Sequence, residues 1–78
     1  MNRERLREIL KQEGIRESIY DLDGGFPPEK YVLAENGGLW RVYYSERGQE
    51  SGMRQFTCEA DACQYLLDVL RNDSTSRG

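Results

Sequence analysis

The spacing of apolar and polar positions changes twice along this chain, and the changes mark its elements. From Asn2 to Glu13, Leu6, Ile9 and Leu10 recur at i, i+3 and i+4 among charged residues, the spacing of a short amphipathic helix that Asn2 can cap and Gly14 can close. Ile15 to Leu22 loses that period. Ile19, Tyr20 and Leu22 run into Asp23-Gly24-Gly25 and Pro27-Pro28, which predicts a first strand and then a loop, because a diproline cannot sit in a central strand.

Tyr31-Val32-Leu33-Ala34-Glu35 is rich in strand formers and predicts a second strand. Asn36-Gly37-Gly38 follows, residues that tolerate positive φ and signal a hairpin. The third strand, Leu39 to Glu46, alternates Trp40, Val42 and Tyr44 with Arg41, Tyr43 and Ser45. The tryptophan face is assigned to the core, so Tyr43 is expected to point outward. Arg47 to Gly52 reads as a polar turn and Met53 to Phe56 as a fourth strand, with Arg54 and Phe56 on one face. Thr57 is a plausible cap for a final helix from Cys58 to Arg71, whose apolar face collects Ala62, Cys63, Leu66, Leu67, Val69 and Leu70. The expected architecture is a single α+β domain over residues 1–71 in the order α-β-β-β-β-α. Its antiparallel sheet of three or four strands packs two helices on one face, and residues 72–78 form a flexible polar tail.

Composition changes this picture in one respect. With 78 residues, 37% hydrophobic and 32% charged, the chain can build only a thin core. Each aromatic side chain can remove on the order of 150–250 Å² from water, so burial of Trp40, Phe56 and the tyrosines matters disproportionately. A partner or a homodimer could supply burial that the monomer lacks. Cys58 and Cys63, five residues apart, point about 140° apart around a helix, which makes a mutual disulfide geometrically poor, and Cys63 belongs with the buried face.

Charge is uneven. Residues 1–16 hold five basic and three acidic side chains, whereas Glu17 to Glu35 contains Glu17, Asp21, Asp23, Glu29 and Glu35 against a single cation, Lys30. The net charge is −3. Such a surface repels phosphate and attracts a basic partner, so nucleic acid is not expected as a ligand. No long apolar run is present, which disfavours membrane spanning and export and leads to an expectation of cytoplasmic residence.

Candidate chemistry is sparse. The chain has no histidine, which removes the commonest general base and metal ligand, and two cysteines at a C-x4-C spacing cannot complete a zinc site alone. Gly24-Gly25 and Gly37-Gly38 lack the spacing of a nucleotide-binding loop. Asp21 and Asp23 could in principle split their pKa values for acid-base work, but carboxylates beside Gly-Gly are more often turn formers. No enzymatic activity, cofactor or metal is therefore expected. The segment Tyr43-Tyr44-Ser45-Glu46-Arg47-Gly48 admits three readings: a solvated strand end, a Glu-Arg tether across the turn, or part of a binding surface in which an outward Tyr43 stands beside Arg41. Candidate partner-binding residues are Asp21, Asp23, Glu29, Glu35, Arg41, Tyr43, Glu46 and Arg47.

Tyr20-Asp21-Leu22-Asp23-Gly24-Gly25, Glu29-Lys30-Tyr31-Val32-Leu33, Trp40 to Gly48 and Phe56 to Cys63 together resemble small bacterial immunity proteins of polymorphic toxin systems, of the contact-dependent inhibition and Rhs type. The resemblance covers about residues 19–70 and rests on structural rather than catalytic motifs. It implies a cytoplasmic antitoxin that binds a cognate toxin domain, for example a nuclease, and blocks its active site or substrate access. The alternative is a non-catalytic adaptor or regulatory module that binds another protein by the same surface.

Overall fold

A computed structural model of the chain describes residues 1–24, 29–47 and 49–73. Helix α1 (Arg3–Gln12) is followed by a single 3-10 turn (Glu17–Ile19), strands β1 (Tyr20–Asp21), β2 (Lys30–Asn36), β3 (Leu39–Glu46) and β4 (Gln49–Phe56), and helix α2 (Glu59–Asn72). The α+β class and the order of elements agree with the sequence pattern. The sheet, in the order β1-β2-β3-β4, is mixed rather than antiparallel, because β1 lies parallel to β2.

Helix α1 starts where Asn2 accepts a hydrogen bond from the Arg5 N–H at 2.8 Å, a cap that contributes about 1 kcal/mol. Its apolar stripe is short, with Leu6 and Leu10 fully buried. Glu59, the first residue of α2, accepts from the Arg3 N–H at 3.0 Å, and Arg71 near the other end of α2 donates through Nε to Glu13 at 2.9 Å. These two ties hold α1 and α2 side by side in the same direction. Ala62, Cys63, Leu66, Leu67 and Leu70 of α2 then meet Leu33 and Val42 of the sheet in one cluster with Leu6, Leu10, Ile15, Tyr20 and Leu22.

Four local expectations are corrected. The strand expected from Ile15 to Leu22 shrinks to Tyr20–Asp21. Ile15, Tyr20 and Leu22 are all buried in the same cluster, but an odd spacing would put Ile15 and Tyr20 on opposite faces of a continuous strand, and the 3-10 turn at Glu17–Ile19 resolves the conflict. The fourth strand begins at Gln49, not Met53: Glu46 pairs with Gln49, Ser45 with Glu50 and Tyr44 with Ser51. Backbone pairing needs no apolar side chains, and an edge strand can stay exposed. The register shift lies between the Val42–Arg54 and Tyr44–Ser51 pairs, so β4 carries an extra residue there, and Gly52 takes φ +61 within that bulge. Helix α2 is capped at Cys58 rather than Thr57, without a side-chain hydrogen bond, and continues through Asn72.

The fourth correction concerns Tyr43. It faces away from the helices, as the alternation requires, yet it is only 4% exposed. Val32, opposite it on β2, and Ser45 are fully buried on that same far face. The chain begins to leave β1 beside this face, since a methyl placed on Gly24 would meet the Ala34 side chain at 3.5 Å. The hairpin at Gly37-Gly38 forms as expected, with both residues at positive φ, +61 and +87, the combination a two-residue turn between twisted strands requires. The residues expected as a flexible tail lie outside the described residues from Ser74 onward. No helix among the described residues is long and apolar enough to cross a membrane.

Candidate functional site

Strand β3 places Trp40, Val42 and Tyr44 on the helix-facing side, and each meets a different environment. Trp40 sits opposite Phe56, and the Arg3 guanidinium lies 5.6 Å from its ring centroid, so the N-terminus of α1 closes that end. Val42 is in the core. Tyr44 stands opposite Tyr31, edge to face at a centroid separation of 4.9 Å, at the end that α2 covers incompletely. There a hollow of about 240 Å³ opens between the sheet and α2, lined by Tyr31, Val42, Tyr44, Gly52, Tyr65 and Val69 among others. The volume falls below the roughly 300–1,000 Å³ of ordinary small-molecule sites and suits one inserted side chain.

Bulge and helix end both shape this hollow. At Gly52 the bulge interrupts regular pairing between β3 and β4 beside Tyr44. At the end of α2, the Tyr31 hydroxyl donates to Asp73 at 3.1 Å and fixes the Tyr31 ring as a wall. The third aromatic, Tyr65, packs on Phe56 at 5.5 Å and carries the Arg54 guanidinium 5.9 Å from its centroid. Burial, then Glu29, Glu46 and Asp73, pushes the Tyr44 hydroxyl above the ordinary tyrosine range. Burial, then the hydrogen bond and charge of Asp73, does the same to Tyr31. Burial is the larger cause of each rise, and nearby carboxylates add to it.

The residues expected from the sequence to bind a partner separate into groups. Asp21 accepts a hydrogen bond from the Asp23 N–H at 2.8 Å, and Asp23 pairs with Arg7 at 3.5 Å and approaches Arg3 at 4.0 Å. Both therefore hold the turn after β1 against α1. Glu35 accepts from the Gly38 N–H at 2.9 Å and secures the hairpin. Arg41 and Tyr43 share the far face. Burial and then Glu50, which also accepts a hydrogen bond, push the Tyr43 hydroxyl up, with Asp21 adding to the rise and Arg41 opposing it. Of the expected residues Tyr43 is among those that line the tyrosine hollow; Glu29 and Glu46 do not line it but act by charge on Tyr44, and Arg47 takes φ +49.

Tyr31, Tyr44, Tyr65 and Gly52 were not among the expected binding residues. Tyr31, Tyr44 and Tyr65 belong to the apolar pattern, and periodicity reports which face a residue occupies but not whether the opposite layer reaches it. Their hydroxyls were the available signal, since three tyrosines directed to one thin core need water or polar partners at their tips.

Little else in the molecule has the form of a site. Cys58 is exposed and Cys63 buried, both as free thiols, and burial pushes Cys63 up to about 11, so it is neutral and unreactive at pH 7. A polar hollow between the helix N-termini is lined by Asn2, Arg3, Glu4 and Glu59, and the Glu59 carboxylate already accepts from the backbone there. Among the described residues, no three His, Cys, Asp or Glu side chains gather in a way that could hold a metal ion. No family model matches the chain, and neither does any curated protein or solved structure.

Proposed function

We propose that this chain is an immunity-type inhibitor that acts in the cytoplasm by covering a basic toxin domain, without catalysis of its own. The observation that carries the reading is the tyrosine-lined hollow with Asp73 bonded to the Tyr31 hydroxyl and Glu29 and Glu46 acting by charge on Tyr44, on a chain of net charge −3. Tyrosines supply large contact area at low entropic cost, and surrounding carboxylates favour a cationic partner over nucleic acid or an acidic protein. The lack of histidine and the resemblance to immunity proteins point the same way. A nuclease is one toxin class with a basic surface, and covering it would block substrate phosphates from the same cations.

The test is co-expression with candidate toxin domains encoded by the genes adjacent to this one. Growth rescue together with co-purification is expected, with an association rate that falls as salt rises. Loss of both rescue and binding removes the reading.

A further inference from the structure

We infer that the hollow between Tyr31, Tyr44 and Tyr65 is a receptor for a single arginine side chain presented by the partner protein. This inference rests on the reading of the partner as a basic protein. Two features of the hollow select this occupant. Its walls are aromatic, with Tyr31 and Tyr44 edge to face at 4.9 Å and Tyr65 lining it from α2, so an inserted planar cation has aromatic rings to pack on. It has a carboxylate at its wall, since Asp73 accepts from the Tyr31 hydroxyl at 3.1 Å, and Glu29 and Glu46 add negative charge that acts on Tyr44. An apolar side chain would gain from the walls alone, whereas a guanidinium gains from both walls and charge.

The molecule already contains a small version of this contact. Arg54 places its guanidinium 5.9 Å from the Tyr65 centroid. Arginine is favoured over lysine because its delocalised, weakly hydrated cation stacks on rings and still donates several hydrogen bonds to carboxylates. The size agrees as well, since about 240 Å³ admits a side chain and not a folded segment. The extra residue of β4 at Gly52 opens the wall beside Tyr44, so the bulge also has a role in recognition.

The full chain, isotope-labelled, is titrated with N-acetylarginine amide and followed by NMR, with the citrulline and norleucine analogues as neutral and apolar controls. Saturable shifts are expected at Tyr31, Tyr44, Tyr65 and Gly52 with the arginine probe. Both controls should bind at least about fivefold more weakly, because they lack the cation. Tyr44→Leu, which removes one aromatic wall, should lose about fivefold. Equal binding of the citrulline or norleucine probe, or shifts confined to other surfaces, overturns the assignment. If Tyr44→Leu fails to fold, the three probes on the unaltered chain decide the matter. Absence of arginine binding with growth rescue intact removes this receptor and leaves the inhibitor reading standing. Arginine binding without rescue by any adjacent toxin removes the inhibitor reading instead.

Discussion

Val32 and Leu33 are neighbours on β2, point to opposite faces of the sheet, and are both fully buried, but the chemistry that surrounds them differs. Leu33 belongs to one apolar cluster with Leu6, Leu66, Leu70 and Val42, to which both helices contribute. Val32 faces Tyr43 across the strand pair, within a set that includes Ser45, Arg41 and Glu50. In the first environment almost every contact is hydrophobic. In the second, polar atoms are buried too, and not all are satisfied: Ser45 Oγ and Arg41 Nε have no hydrogen-bond partner among the described residues. The helix side is mainly apolar, although the Tyr20 hydroxyl in its cluster is also unsatisfied, while the far side holds two such atoms beside a smaller apolar set. Each buried unsatisfied group costs about 1–3 kcal/mol, a large fraction of the roughly 3–5 kcal/mol available to a domain of this size.

The sharpest way to break this contrast is truncation on each face. Leu33→Ala should cost about 3 kcal/mol, enough to bring the chain close to its unfolding midpoint in buffer. Val32→Ala should cost about 2 kcal/mol, where an ordinary exposed strand position would lie within about 0.5 kcal/mol. Urea denaturation followed by circular dichroism measures both. A near-zero effect at Val32 would return the far face to the status of a plain surface.

Tyr43 provides the next test. Its folded pKa is raised above the ordinary value of about 10, chiefly by burial and then by Glu50, so the fold favours the protonated phenol. The stability this contributes is complete below the unfolded pKa and is lost as pH rises through the folded one. Unfolding should therefore set in above about pH 10, and Tyr43→Phe should make that alkaline loss shallower. At neutral pH the same substitution removes the bond to Glu50 and should cost about 1 kcal/mol, the low end for a charged acceptor because Glu50 is exposed. Absorbance titration of the phenolates, with parallel thermal melts, reads both effects.

The smallest expected effect has the opposite sign. Ser45→Ala removes a buried hydroxyl without a partner and should stabilise the chain by up to about 1 kcal/mol in the same denaturation series. A loss of stability would mean that the hydroxyl is satisfied and that the two faces are more alike than they look.

Local chemistry carried much of the fold. The i, i+3, i+4 spacing of Leu6, Ile9 and Leu10, the Asn2 cap, the Gly37-Gly38 hairpin and the apolar face of α2 all depend on nearest neighbours along the chain, so they could be read directly from it. The parallel pairing of β1 with β2 could not, because the direction of a two-residue strand is decided by where Tyr20 and Leu22 find the core. The length of β4 was hidden by its polar side chains, since its pairing belongs to the backbone.

The candidate site was less legible than the fold. Alternation correctly put Trp40, Val42 and Tyr44 on one side, but a period of two cannot say that Arg3 covers Trp40 while α2 leaves Tyr44 at an open hollow. Nor could it show that Tyr43, on the opposite side, would be buried. The amino-acid order by itself determined which residues share a face and where the chain turns, because those follow from local dihedral preferences and spacing. Only the tertiary structure decided which face positions are covered and which carboxylates gather around the tyrosines, because both depend on contacts between segments distant along the chain.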